Sequence, residues 1–419
     1  MEGTEYVTNH SVYNTQIKNL TASCRELDDY GKYIVNVSNR ILIVYPWIMI
    51  IFGTISNILS IVILTRKKLR TSSTFFYLAC LSAIDILVLY TFCFNFISYY
   101  HLKIDLQSKH VILCKLFSFC IYFLPQYSAW TCAAVSIDRV IGVIFSVGRY
   151  AACAKRWTTP ARARIIVTLI GACLFFINIQ FLFYPNEYTK TLNTTQIVED
   201  VNVIYCSPEN NPKFEKYYNF IWVHIDLSIN VLIPFGIMIL SSLIIILRVR
   251  KTAQNLENQR KKSVLNQNNL MVTSSNAGNS SKAHASRKKS VAPGNAKARN
   301  ISTMLVTNNI LFISFTLPIV VFLSIAPAIN DESLCANKRA KLRLGKIICI
   351  LLMNTNCIIN IFIYSIMSSQ FRIELIAFFS NLLNFNLKFK HTSSHGKFNN
   401  KKSNSLLSPN DNTITATYT

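Results

Sequence analysis

Seven long apolar stretches constrain the fold of this chain more than any other feature of its sequence. Each contains about 20 predominantly apolar residues, the length that an α-helix needs to cross the hydrocarbon core of a bilayer. They occupy residues 41–65, 74–98, 111–138, 163–184, 218–248, 301–326 and 345–368. Only 15% of the 419 residues are charged, whereas soluble domains carry about 25%. The pattern predicts an all-α membrane protein, a seven-transmembrane helix bundle.

The basic residues predict how the bundle is oriented. The formal net charge is +24, and many lysines and arginines lie in short segments between apolar stretches, such as 66–70 and 248–251. Cytoplasmic loops are enriched in these residues, so we expect a multi-pass protein of the plasma membrane with its amino terminus outside. The same distribution argues against nucleic-acid binding, the other common reason for a basic chain. The outer loop before the seventh stretch disagrees with this orientation. Its cations are Lys338, Arg339, Lys341, Arg343 and Lys346.

The amino-terminal segment, residues 1–40, is predicted to be a glycosylated extracellular tail. Asn-x-Ser/Thr sequons on the outer side predict glycosylation at Asn9, Asn19 and, in the second outer loop, Asn193. A further sequon at Asn36 lies too close to the membrane for us to expect modification.

The remaining residues divide into a membrane domain, 41–385, and a cytoplasmic tail, 386–419, which is predicted to be disordered. Inside the domain, residues 249–300 are rich in Asn, Ser and Lys without an apolar period, which predicts a disordered third cytoplasmic loop. Gln370–Leu383 alternates apolar and polar residues at helical spacing. This segment is predicted to form a short amphipathic eighth helix on the inner membrane surface.

Polar residues inside the apolar stretches indicate the class of protein, because each is costly in hydrocarbon and implies a role. The third stretch ends in Asp138-Arg139-Val140, and Cys114 precedes this motif by about seven helical turns. This spacing resembles the third helix of rhodopsin-like (class A) G-protein-coupled receptors, from the disulfide cysteine to the Asp-Arg-Tyr motif. The other positions that match the family in order and spacing are Gly53, Asn57, Leu81, Asp85, Pro234, Phe312, Pro318, Asn360, Tyr364, Phe371 and Arg372.

The resemblance covers about residues 40–384 and looks closest to invertebrate neuropeptide receptors, including the FMRFamide-type group. It implies a receptor and not an enzyme, and it implies no cofactor. An extracellular ligand, expected to be a peptide, would favour an outward movement of the sixth helix and activate a heterotrimeric G protein. The residues that would form this switch are Asp138, Arg139, Val140, Pro234, Phe312, Thr316, Pro318, Asn360 and Tyr364. Arrestin and membrane lipid are further expected partners.

Several positions depart from the family pattern. Thr316 stands where a tryptophan is usual, Ile361 replaces a proline, and Val140 and Ser242 replace tyrosines. The start of the sixth helix also lacks the family's acidic partner for Arg139, since residues 297–299 are Lys-Ala-Arg. We therefore predict raised basal signalling. A snorkelling arginine at a helix end is the structural alternative for Arg139.

The resemblance also implies a sodium site and a disulfide bond. Asp85, Asn57, Ser128, Asn356 and Asn360 match the family's sodium pocket, and hard oxygen ligands suit such a cation. The alternative is a protonated Asp85 that braces the bundle through hydrogen bonds. The disulfide would join Cys114 to Cys206, and a second bond could join Cys24 to Cys335.

The ligand pocket differs from those of two well-known receptor classes. Amine receptors have an aspartate where this chain has Ile121, and opsins have a lysine where it has Asn354. An unusual acid, Asp226, lies eight residues before Pro234. With His224, Gln126 and Tyr122, it is predicted to receive a cationic group such as an arginine of a peptide. Alternatively, a neighbouring helix satisfies this acid.

Two other functions stay open. A transporter or channel would show internal repeats or broken helices at mid-membrane, and the sequence shows neither. A receptor-like protein that does not signal, acting as a ligand sink or dimer partner, is compatible with the missing switch residues.

Overall fold

The structure is a computed structural model that describes residues 26–104, 106–145, 152, 156–183, 190–194, 197–201, 216–274, 293–329 and 335–395. Within these residues, seven helices are long and apolar enough to cross a membrane, which confirms the predicted fold class. The helices that contain these spans are α1 (Asp29–Leu64), α2 (Ser73–Tyr100), α3 (Val111–Ile144), α4 (Pro160–Asn178), α5 (Tyr218–Trp222, Val223–Asp226, Leu227–Leu232 and Ile233–Ser274 in succession), α6 (Pro293–Ile329) and α7 (Ala336–Met367).

Further elements connect or follow these helices. A one-turn helix, Leu106–Lys109, precedes α3, and a 3₁₀ turn, Ile179–Leu182, continues α4. Strands β1 (Lys190–Thr194) and β2 (Ile197–Val201) form an antiparallel hairpin between α4 and α5. The last helix, α8 (Ser369–His395), is longer than the predicted segment Gln370–Leu383. The chain forms one compact unit up to Glu374 and a second from Leu375.

Several helices begin or end beyond the apolar stretches. Helix α1 begins at Asp29, well before residue 41, because the Asp28 carboxylate caps it by accepting a hydrogen bond from the Gly31 amide at 2.6 Å. Helix α5 continues to Ser274 and α6 begins at Pro293, so the predicted disordered loop 249–300 is partly helical. An existing helix propagates at little cost through polar residues, and the pair Glu257–Lys261 adds support at i,i+4 spacing.

The outer surface of the bundle is apolar and its interior contains polar side chains. Phe52 and Phe176 are more than 60% exposed, which suits lipid rather than water. Asn57 is buried and donates from Nδ2 to the backbone oxygens of Gly53, at 3.0 Å, and Cys357, at 2.7 Å. Asn57 therefore links α1 to α7 by a hydrogen bond to a backbone carbonyl. Polar side chains commonly form such hydrogen bonds between helices in membranes.

Helix α5 is irregular where it passes the centre of the bundle. Two π-helical segments, Tyr218–Trp222 and Leu227–Leu232, flank a single α-helical turn that ends at Asp226. Short π segments inside helices often occur at functional sites. The irregularity changes which residues of α5 face the interior of the bundle. Asp226 is one of the residues that face inward.

Candidate functional site

A cavity of about 470 Å³ lies between α2, α3, α5, α6 and α7. Aromatic side chains form one wall, Asp226 supplies an acid and Lys346 a base. The other polar lining residues include Ser128, Asn230, Thr316 and Asn356. An apolar cavity with a few convergent polar groups is typical of a ligand site.

Asp226 is held by a chain of amide side chains that crosses three helices. Its Oδ1 accepts a hydrogen bond from Gln126 Nε2 at 2.9 Å, and Gln126 Oε1 accepts one from Asn178 Nδ2 at 2.7 Å. Gln126 and Asn178 are fully buried. In the described part of the chain, no basic side chain lies within ion-pair distance of Asp226. The carboxylate is thus positioned in the cavity wall by neutral groups alone.

Tyr122 belongs to the aromatic wall and lines the same cavity as Asp226. Its ring stacks on Phe181, with centroids 4.5 Å apart, and meets Trp222 edge-on at 5.5 Å. Its hydroxyl is hydrogen-bonded to the hydroxyl of Tyr218. Among the predicted pocket residues, the structure brings Tyr122, Gln126 and Asp226 together.

His224 does not join the predicted pocket. Its side chain is exposed, and it is not among the residues that line the cavity. Two residues along a helix correspond to a rotation of about 200°, so His224 faces away when Asp226 faces inward. The prediction for His224 is wrong for this geometric reason.

Asp85 lies fully buried near the floor of the cavity and links three helices. Its Oδ2 accepts a hydrogen bond from Asn360 Nδ2 at 2.7 Å, and its Oδ1 accepts one from Ser128 Oγ at 3.3 Å. Asn360 Oδ1 is buried and has no hydrogen-bond partner among the described residues. An unpartnered amide oxygen beside a carboxylate and a hydroxyl fits the hard oxygen ligands that Na⁺ prefers.

The other two predicted sodium ligands lie around this group in different roles. Asn356 is buried and lines the cavity. Asn57 has its amide nitrogen committed to the Cys357 carbonyl. The structure therefore places three of the five predicted side chains in direct contact, namely Asp85, Ser128 and Asn360.

At the other end of α3, Asp138 and Arg139 form an ion pair. Arg139 Nη2 donates to Asp138 Oδ2 at 2.8 Å, and the Arg139 side chain is only 16% exposed. The same carboxylate oxygen accepts hydrogen bonds from Ser73 Oγ at 2.9 Å and Thr74 Oγ1 at 3.3 Å. The first residues of α2 thus position Asp138 by hydrogen bonds, and Asp138 positions Arg139. Val140, the next residue of the motif, is half-buried.

A polar cluster links α3, α5 and α6 about one turn from this ion pair. Asn309 Nδ2 donates to Ser136 Oγ at 2.9 Å and to Ser242 Oγ at 3.1 Å. All three side chains are buried. The sequence predictions missed Ser136 and Asn309, since a buried asparagine in an apolar helix shows its partners only once the helices are packed.

The remaining switch residues lie along α5, α6 and α7. Pro234 is buried and lies two residues after Leu232, the last residue of the second π segment of α5. Phe312 packs edge-on against Phe235 at 5.8 Å, while Thr316 is buried in the cavity wall and Pro318 is half-buried in α6. Tyr364 is fully buried, and its ring lies 5.7 Å from that of Phe371.

Cys114 and Cys335 are each disulfide-bonded, and the other seven described cysteines are free. Their predicted partners, Cys206 and Cys24, lie outside the described residues, so both pairings stay predictions. The same is true of the sequons at Asn9 and Asn19. Asn193 lies in β1, opposite Val198 of β2, and its glycosylation also stays a prediction.

A comparison with protein families agrees with this arrangement. The family model described as 7 transmembrane receptor (rhodopsin family) matches residues 56–364. The match begins in α1, ends at Tyr364 in α7 and covers more than half of the chain. Proteins of this family are multi-pass membrane receptors that respond to a ligand and act through G proteins, and they are not enzymes. The chain belongs to the rhodopsin family of seven-transmembrane receptors.

Proposed function

We propose that this receptor binds an extracellular peptide in the cavity around Asp226 and then activates a heterotrimeric G protein. In this proposal the amino terminus lies outside the cell and the protein is in the plasma membrane. The ligand stabilises an arrangement in which α6 moves outward and Arg139 becomes accessible to the G protein. A ligand can shift this equilibrium only by binding one arrangement more tightly than the other.

Asp226 is the observation that carries the proposal of a cationic ligand. It is a carboxylate in the cavity wall with a hydrogen bond from Gln126, and within the described residues no cation lies at ion-pair distance from it, although Lys346 lines the same cavity. A buried charge is stable only when it is paired or well hydrogen-bonded. The neighbouring rings of Tyr122, Tyr218 and Trp222 would stack well on a guanidinium group. An arginine side chain of a peptide satisfies both requirements.

Substitution of Asp226 tests this ligand class. We expect Asp226→Asn to reduce the potency of an arginine-containing agonist at least tenfold, since a hydrogen bond to a charged group contributes about 1.5–3 kcal/mol. The measurement is a concentration–response curve for G-protein activation at matched surface expression. His224→Ala is the control, because His224 lies two residues away but outside the cavity. Equal potency in Asp226→Asn and the wild type would refute the role of Asp226.

We also propose that Asp85, Ser128 and Asn360 hold a sodium ion. The purified receptor should then unfold at a higher temperature in sodium chloride than in choline chloride at the same ionic strength. A concentration ten times the dissociation constant corresponds to about 1.4 kcal/mol of stabilisation. Asp85→Asn should remove the difference between the two salts. A wild-type receptor with no preference for sodium would contradict the proposal.

A further inference from the structure

The first turns of α7 carry a concentration of positive charge that membrane topology does not explain. Helix α7 contains no acidic residue along its whole length. Its five cations all lie at the end that, in the proposed orientation, faces outward, where the positive-inside rule disfavours them. They are Lys338, Arg339, Lys341, Arg343 and Lys346.

One of these cations lies in a second cavity, separate from the one around Asp226. This cavity has a volume of about 400 Å³ and is lined by Asn39 of α1, Tyr99 and Tyr100 of α2, Lys103 and Arg343. Arg343 Nη2 donates to Tyr100 Oη at 2.8 Å and to Asn39 Oδ1 at 3.1 Å. Both partners are neutral, so they orient the guanidinium group without neutralising its charge.

Lys103 brings a second cation to the same cavity, and its backbone is strained. Its φ angle is 54°, in the left-handed region that favours glycine or asparagine. The turn is closed by a hydrogen bond from the Ile104 amide to the Ser98 carbonyl at 3.0 Å. Non-glycine residues in this conformation tend to occur at functional sites. A lysine at this position supplies a charge that glycine could not.

The described acids at this end of the bundle do not pair with these two cations. Asp29 forms an ion pair with Lys32 at 3.3 Å, and the Asp28 carboxylate caps the first turn of α1. In the resolved ranges of the chain, neither Lys103 nor Arg343 has a carboxylate within 4.0 Å. Two cations that line one cavity repel each other, and an anion between them removes this repulsion.

We propose that this cavity binds a side-chain carboxylate of an acidic segment in the extracellular peptide. The guanidinium of Arg343 presents a planar fork that matches a carboxylate, and Lys103 adds a point charge. Lys346 follows Arg343 by one helical turn and lines the cavity that contains Asp226. A peptide with a cationic end beside Asp226 and acidic residues further along could therefore extend across α7. This inference rests on the proposed function, since it assumes both the peptide ligand and the extracellular position of the amino terminus.

The test uses hexaglutamate as the probe and the purified full-length receptor in a neutral detergent. The unfolding midpoint is measured at constant ionic strength with hexaglutamate, with hexaglutamine and with sodium sulfate. The variants are Lys103→Gly, which suits the backbone conformation, and Arg343→Gln, which keeps a hydrogen-bond donor. Lys338→Gln is the matched control, because Lys338 is an exposed cation of the same helix outside the cavity.

Hexaglutamate should raise the midpoint of the wild type and of Lys338→Gln, and hexaglutamine should not. Lys103→Gly and Arg343→Gln should each lose at least half of this shift. Equal shifts in all four proteins would show attraction to the basic surface in general and would overturn the proposal. No shift in the wild type would do the same, as would a response to sulfate without one to hexaglutamate. The measurement needs neither signalling nor orientation, so its outcome is independent of the Asp226 test.

Discussion

Trp130 of α3 compensates for a donor that Pro234 removes from α5. In the π-helical register, each amide bonds to the carbonyl five residues earlier, so residue 234 would serve the carbonyl of Ile229. Proline has no amide hydrogen. The indole Nε1 of Trp130 donates to the Ile229 oxygen at 2.9 Å instead. A single side chain thus allows the π segment to end at a proline without leaving a carbonyl unpaired in the membrane.

We expect Trp130→Phe to destabilise the receptor by about 1 kcal/mol, because it keeps an aromatic ring but removes a hydrogen bond between helices. The midpoint of thermal unfolding in detergent measures the change. Trp47→Phe is the control, since it also loses an indole hydrogen bond, to His101, at an exposed position. A Trp130→Phe midpoint equal to that of Trp47→Phe would contradict the role assigned to this bond.

At the scale of helices, α6 is held against α3 and α5 by uncharged groups. The family's acidic partner for Arg139 is missing from the start of α6, where the sequence is Lys297-Ala-Arg299. Arg139 bonds instead to its neighbour Asp138, and Asn309 joins Ser136 to Ser242. The serine at position 242, where the family often has a tyrosine, is short enough to accept from Asn309. The hydrogen bonds of Asn309 thus take over part of the restraint that an ion pair would provide.

We predict that Asn309→Ala raises basal signalling further above that of the wild type. Loss of these bonds should destabilise the resting arrangement by about 1 kcal/mol, which corresponds to a roughly fivefold change in the equilibrium. Ligand-free G-protein activation at matched surface expression measures the effect.

Asn308→Ala is the control for this prediction, since Asn308 is equally buried but its side-chain oxygen has no hydrogen-bond partner in the part of the chain that the structure describes. Basal activity that rises equally in both variants would indicate a general loosening of α6. Wild-type activity no higher than that of mock-transfected cells would count against raised basal signalling itself.

For the whole molecule, the sequence was sufficient for the number and order of the helices, because each span carries its own apolar signal. It also singled out Asp85, a lone carboxylate in an apolar stretch, while Asn360 was predicted from the family motif that it resembles. The roles of Asn178 and Trp130 depend on how neighbouring helices are rotated against each other. That rotation depends on packing between residues far apart in the chain, which no local pattern records.

The irregularity of α5 shows the same limit. A regular helix would still place His224 and Asp226 on different faces, but the two π segments shift the faces by an amount that the sequence does not specify. The extension of α5 to Ser274 is a further example, because composition predicted disorder for residues that continue an existing helix. Local propensity is a weak guide where a stable helix already provides the nucleus.

The decisive measurement is G-protein activation by the wild type and by Arg139→Ala, each screened with a library of neuropeptides. The two proteins are compared in cells at equal surface expression. We expect a peptide response in the wild type that is lost in Arg139→Ala, with an arginine in the active peptide. A wild-type receptor that reaches the surface but shows neither basal signal nor response to any peptide would contradict the proposed function as a signalling peptide receptor. That result would favour a receptor-like protein that does not signal.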